Sequence, residues 1–225
     1  MTSAYRLRFI ALAVSLFALL CGAVSAQSQP ARTAAVAAKT PTAQRTVLVM
    51  GDSLSAGYGL AAHQGWVSLT AVKIAKEKPG WRVVNASISG ETTAGGAARI
   101  AAELKRHKPS VVVIELGGND GLRGLPLKQT RENLDKMILA AQGAKAKVLL
   151  IGMRLPPNYG PDYTRGFENA FRDLATQRKT AFVPFLLQPV ATDRNAFQND
   201  QIHPTAAAQP KLRDHVWPAL SPLLK

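Results

Sequence analysis

The stretch Val47-Leu48-Val49-Met50-Gly51-Asp52-Ser53 carries four apolar residues straight into a glycine and two small polar ones. A short, continuously apolar run reads as a strand buried on both faces, and the polar residues after it as the loop at its carboxyl end. The pattern recurs at Val83 to Ala86, Val111 to Leu116, Val148 to Ile151 and, more weakly, Ala181 to Phe185, which predicts five strands. Between the third and fourth, Leu127, Thr130, Leu134, Met137 and Ala141 recur at spacings of three and four, with Lys128, Arg131, Glu132 and Lys136 on other faces, as in a surface helix. Tyr163, Phe167, Ala170, Phe171 and Leu174 repeat that spacing, and Pro210 to Leu224 predicts a last helix that Pro218 ends or bends. Trp66 to Lys78 and Thr93 to Arg106 are less regular but lie between strands and are read as helix. Buried strands separated by helices imply parallel neighbours joined by crossovers, so the predicted fold is a three-layer α/β/α sandwich with a five-stranded parallel sheet. Ligands bind such sheets beyond the carboxyl ends of the strands, so the loops after the apolar runs are where chemistry is expected.

Composition bounds the rest. The 225 residues are 47% apolar and 19% charged, which suits one folded domain and excludes a disordered chain. Lys and Arg total 28 against 14 Asp and Glu, and the resulting charge of +14 raises nucleic acid or an anionic membrane as partners. Residues 1–26 read as a secretory signal peptide: Arg6 and Arg8 give a positive start, Phe9 to Val24 is apolar, and Val24-Ser25-Ala26 is a small-residue cleavage site. Its removal takes two arginines and no acid, so the mature chain keeps +12. The single cysteine, Cys21, leaves with it, so the exported domain forms no disulfide. Residues 27–45, rich in Ala and Thr, read as a linker, and 46–225 as the folded domain. No later apolar run reaches the roughly 18 residues of a membrane span, so the expectation is a periplasmic or secreted protein.

Three polar loops follow the first three strands: Gly51-Asp52-Ser53-Leu54-Ser55-Ala56-Gly57, Asn85-Ala86-Ser87-Ile88-Ser89-Gly90-Glu91-Thr92, and Gly117-Gly118-Asn119-Asp120. All converge on one sheet edge. Near the carboxyl terminus, Asp200-Gln201-Ile202-His203-Pro204 sets a carboxylate three residues before an imidazole. A serine hydroxyl is a weak nucleophile at neutral pH, so acyl transfer needs a base for its proton, an acid to orient the base, and N–H donors where the oxyanion develops. Each role has a candidate here. Neither paired cysteines nor His-Glu-x-x-His nor a phosphate loop occurs, and no metal or cofactor is expected. The serine block is not Gly-x-Ser-x-Gly, because Ser55 takes the last position, which argues against the α/β-hydrolase elbow.

These four blocks, in this order, resemble the SGNH, or GDSL, hydrolases, and most closely the bacterial periplasmic thioesterase, arylesterase and lysophospholipase group. The likeness spans Thr46 to Trp217 and includes Glu115-Leu116-Gly117-Gly118-Asn119-Asp120-Gly121-Leu122-Arg123-Gly124 and Arg154-Leu155-Pro156-Pro157-Asn158-Tyr159-Gly160. It implies a flavodoxin-like sheet order and a serine esterase that works without a cofactor. Ser53 is then the nucleophile, His203 the base and later the acid, and Asp200 the residue that orients it. The backbone N–H groups of Ser53 and Gly90 and the side-chain amide of Asn119 form the oxyanion hole. The loop Asp120 to Pro126, with two glycines, is expected to move over a bound acyl chain, and Leu122, Leu125, Leu155 and Tyr159 to line its trough.

The blander readings are a capping role for Ser53, turn-shaping roles for Asn119 and Asp120, and surface roles for His63, His107 and His215. Asp52 is read as structural, with its side chain pointing away from the chemistry. Expected partners are small acyl esters or thioesters met by a monomer, with an anionic lipid surface as a secondary partner and no nucleic acid. The competing functions are a carbohydrate O-deacetylase, or a basic-surface binding protein for anionic lipid or nucleic acid. Preference for acetyl esters marks the first, and salt-sensitive binding retained in Ser53→Ala the second.

Overall fold

The computed structural model describes residues 44–225. The predicted signal peptide and nearly all of the linker lie outside the described residues. β1 (Arg45–Gly51) and β3 (Val111–Glu115) occupy the middle of a five-stranded sheet, flanked by β2 (Trp81–Asn85) on one side and by β4 (Lys147–Ile151) and β5 (Ala181–Val183) on the other. The order is β2-β1-β3-β4-β5 and every pairing is parallel. Burial follows position. All five residues of β3 are buried, as a central strand covered on both faces demands, whereas β2 is half exposed at its edge.

Helices cover both faces of the sheet. α2 (Trp66–Glu77) packs against α7 (Gln209–Leu220), and α5 (Leu127–Gly143) lies between α3 (Thr93–His107) and α6 (Pro161–Arg178). Leu134, Met137 and Ala141 of α5 are fully buried, as the periodicity predicts. Two short helices, α1 (Ser53–Ala56) and α4 (Gly118–Leu122), sit directly after β1 and β3. Among the described residues no helix is long and apolar enough to cross a membrane.

The predicted elements are all present, with boundaries shifted by a few residues, three of them for a physical reason. β5 stops at Val183 rather than Phe185, because Pro184 has no N–H to donate to the ladder. β2 starts two residues early at Trp81, whose ring lies under the Arg45 guanidinium at 4.4 Å. Pro218 does not end α7: it costs the one hydrogen bond its missing N–H would have made, the helix runs on to Leu220, and a 3₁₀ turn over Ser221–Leu223 continues the chain.

Candidate active site

Ser53 is the first residue of α1 and inherits its place from β1. The Asp52 side chain caps that helix by accepting from the Leu54 amide at 3.0 Å, so the capping role belongs to Asp52 and not to the serine. Across from it, His203 Nε2 lies 2.8 Å from Ser53 Oγ, and His203 Nδ1 lies 2.7 Å from Asp200 Oδ2. The two loop residues meet because the chain turns tightly between them. Asp200 Oδ1 accepts from the backbone amides of Ile202 at 2.9 Å and His203 at 3.0 Å, and Gln201 takes a left-handed φ of 57° to close the turn. Those amides, first that of His203, together with the imidazole hold the Asp200 carboxyl down to about 2, well below the usual carboxylate range. Asp200 is therefore a carboxylate at any working pH and keeps the proton on Nδ1, leaving Nε2 free to accept from Ser53.

Gly90 and Asn119 stand at the ends of the second and third loops. Gly90 has a φ of +78°, and a Cβ added there would meet no atom within 4 Å. Its glycine is required by backbone conformation rather than by crowding in the unliganded fold. Arg123 donates to the Gly90 carbonyl at 3.2 Å and fixes that peptide. Asn119 Nδ2 donates to the Glu91 carbonyl at 3.0 Å and to Asp52 Oδ2 at 3.3 Å. Beside Ser53 opens a cavity of about 510 Å³, walled by Met153, Leu155, Phe185, Leu187 and Phe197 and bounded by Leu122 at one side.

A serine, a histidine and an aspartate in hydrogen-bonding register, three loops at one sheet edge and an apolar cavity coincide with a known family. The model of the GDSL-like Lipase/Acylhydrolase family matches residues 49–209. The chain belongs to that family. It is 53% identical over 182 residues to Esterase TesA of Pseudomonas aeruginosa, which covers 81% of this chain and 90% of that protein. It is 41% identical over 179 residues to Thioesterase 1/protease 1/lysophospholipase L1 of Escherichia coli, covering 80% and 85%. The crystal structure of TesA matches with a TM-score of 0.77 over 80% of this chain and 99% of that one.

Within this GDSL-family site, two of the four residues expected along the acyl trough, Leu122 and Leu155, lie on the cavity wall. Leu125 and Tyr159 do not. The Tyr159 hydroxyl donates to the Leu122 carbonyl at 2.9 Å, and that of Tyr163 donates to the Leu125 carbonyl at 2.7 Å, so these residues brace the segment behind the wall. Part of the segment expected to be a moving loop is α4. Asp120 is buried and accepts from the Thr93 amide and hydroxyl, anchoring α4 to the start of α3 rather than shaping its own turn.

Several wall residues, Phe185, Leu187 and Phe197, come from the irregular chain after β5, where no period marks them. Tyr58 also escaped the sequence reading: its ring packs on that of His203 with centroids 4.6 Å apart. Gln198 ties the turn after α1 to the loop that carries His203, donating to the carbonyls of Tyr58 at 2.9 Å and Pro204 at 3.2 Å. The other histidines stay outside the cavity: His107 pairs with Glu103 on α3, His215 contacts the Phe185 carbonyl, and His63 lies in the exposed loop after α1. Among the described residues no three His, Cys, Asp or Glu side chains gather as a metal ion needs.

Two buried carboxyl groups, Asp52 and Glu115, flank the chain at Ser53. Glu115, at the end of β3, is buried and accepts from Ser55 Oγ at 2.6 Å and from the Asp52 amide, gripping the chain on both sides of Ser53. Ser55 approaches so closely that a Cβ on Gly51 would stand 2.6 Å from Ser55 Cβ. Burial, and next the charge of Asp52, pushes the Glu115 carboxyl well above its ordinary value of 4.5. The native state thus keeps a proton there that the unfolded chain releases above about 4.5. Stability from this group is full at lower pH and is lost as pH rises toward the raised native value. Glu115→Gln keeps an acceptor and cannot ionise, so its melting temperature is expected to gain on wild type between pH 5 and pH 8. Melting curves across that range check this, and parallel pH profiles for the two proteins would disprove it.

Proposed function

We propose that this protein is an exported serine esterase that hydrolyses acyl esters and thioesters through an acyl-enzyme on Ser53. The observation that carries the reading is the 2.8 Å contact of Ser53 Oγ with His203 Nε2, oriented by Asp200 at 2.7 Å, beside an apolar cavity. In this mechanism His203 takes the hydroxyl proton as Ser53 attacks the acyl carbon, and the charge that develops on the carbonyl oxygen is met by the Ser53 and Gly90 amides and Asn119. His203 then returns the proton to the leaving alcohol or thiol. Water, deprotonated by the same imidazole, releases the acid and frees the serine. All of these groups come from one chain, which supports action as a monomer.

The apolar wall favours acyl chains over acetyl groups and so weighs against a carbohydrate deacetylase. The cavity mouth supports a lipid substrate presented in aggregates. Tyr58, Ile88, Leu122 and Ile202 are four of the six large apolar side chains that stand exposed among the described residues, and they lie on the loops after β1 and β2, at the end of α4 and on the loop that carries His203. Arg123, which reaches the Gly90 carbonyl, adds positive charge beside them. The names of the relatives, an esterase and a thioesterase that is also a lysophospholipase, denote the same chemistry.

The test is a panel of acyl esters and thioesters from about two to sixteen carbons, with a lysophospholipid assayed below and above its aggregation concentration. Turnover is expected to rise from acetyl to medium chains, and lysophospholipid hydrolysis to rise above the aggregation point. A maximum at acetyl would favour the deacetylase, and no change at the aggregation point would remove the lipid surface.

A further inference from the structure

Asp52 is treated by the sequence as a structural neighbour of the nucleophile, but its side chain faces the site. One carboxylate oxygen is committed to the Leu54 amide and the other lies 3.3 Å from Asn119 Nδ2. The carboxylate has little room to turn: it is buried, and a Cβ placed on Gly118 would stand only 3.2 Å from Oδ2. Asn119 has two amide protons, and both have acceptors in the resting fold. The one on the Glu91 carbonyl, at 3.0 Å, is the closer bond, and the one toward Asp52 is the longer and more readily surrendered.

We propose that Asp52 is a positioning residue for the oxyanion hole: it holds the Asn119 amide turned toward the Ser53 turn, and yields that proton when the oxyanion forms. The inference rests on the esterase reading above. An oxyanion donor acts by being aimed before the charge appears, and a primary amide on a free rotor would have to be aimed during the reaction instead. The Glu91 carbonyl fixes one N–H and Asp52 fixes the other, so together they define both the tilt and the face of the amide plane. Because Asp52 directly precedes Ser53 and caps α1, the same residue sets the nucleophile and the donor relative to each other. The geometry also explains why the carboxylate keeps a long contact to Asn119: a short, strong bond would compete with the oxyanion for the proton.

The experiment is a double-mutant cycle on a six-carbon aryl ester with Asp52→Ser, Asn119→Ala and the pair. Serine keeps a cap for the Leu54 amide and removes the acceptor for Asn119. Asp52→Ser is expected to lower kcat about 10-fold with KM changed less than about twofold, and Asn119→Ala to lower kcat about 100-fold to 1000-fold. In the double mutant, the Asp52 change is expected to cost nothing beyond the loss from Asn119→Ala. Asp52→Asn, whose single oxygen keeps the Leu54 cap and so turns its NH₂ group toward Asn119, serves if the serine variant melts early, and should show the same coupling. Full additivity, or an unchanged kcat in a folded Asp52 variant, would overturn the proposal while leaving the esterase reading intact. Full activity in Asn119→Ala would remove the oxyanion assignment on which the proposal stands.

Discussion

Ser53→Ala is expected to leave ester hydrolysis at about one ten-thousandth of wild type or less. The size of the loss follows from the geometry: the only side-chain partner of Ser53 Oγ among the described residues is His203 Nε2, and no other hydroxyl stands within reach of that nitrogen. Removing one oxygen deletes the nucleophile and leaves the rest in place. The backbone amide of residue 53 still points into the proposed oxyanion hole, the α1 cap still comes from Asp52, and Glu115 still holds Ser55 and the Asp52 amide. The variant should therefore fold, melt close to wild type and bind fatty-acid product in the cavity with little change. Turnover of a six-carbon ester by both proteins, with product binding measured in parallel, checks this. Residual activity above about one hundredth of wild type in a preparation free of other esterases would mean that another group attacks the acyl carbon.

The architecture was readable from the chain because a doubly covered parallel sheet leaves a mark that local physics cannot disguise: Val111 to Ile114 are apolar at every position, whichever face each residue takes. The proposed triad was legible for a different reason. Ser53, Asp200 and His203 sit in short segments whose residue types are constrained by chemistry, and the tight turn at Gln201 is local enough for a three-residue spacing to reveal it. The cavity wall was not legible. Phe185, Leu187 and Phe197 lie on irregular chain after β5, where apolar residues have no period to show which way they face. Tyr159 illustrates the reverse error: its apolar ring suggested the trough, yet its hydroxyl reaches the Leu122 carbonyl and turns the residue into a brace. Asp52 was read as structural with its side chain pointing away, whereas one oxygen caps α1 and the other lies 3.3 Å from Asn119 Nδ2, because residue order does not show which way a carboxylate turns.

Asp200→Asn separates what the acid of the triad does from what it builds. The carboxylate has two tasks: Oδ1 takes the amides of Ile202 and His203 and shapes the turn, and Oδ2 receives the proton on His203 Nδ1. Asparagine can keep its oxygen on the two amides, which places its NH₂ group about where Oδ2 was. That group donates, so it forces Nδ1 to accept and moves the imidazole proton to Nε2, opposite the Ser53 hydroxyl. The base is then blocked by its own proton, and kcat is expected to fall by about four powers of ten. The loop should hold, because the turn contacts persist. Asp200→Ala removes both tasks together and should lower the melting temperature as well, whereas Asp200→Asn should melt near wild type at pH 7. As the native carboxyl sits near 2, wild type retains this contact until well below the pH at which the unfolded group would protonate. The acid limb of the wild-type rate therefore does not belong to Asp200. Rates for the three proteins from pH 5 to pH 9, set beside their melting curves, test the division. An Asp200→Asn enzyme within about tenfold of wild type would show that the orientation of His203 is held elsewhere, with the Tyr58 ring at 4.6 Å as the first place to look.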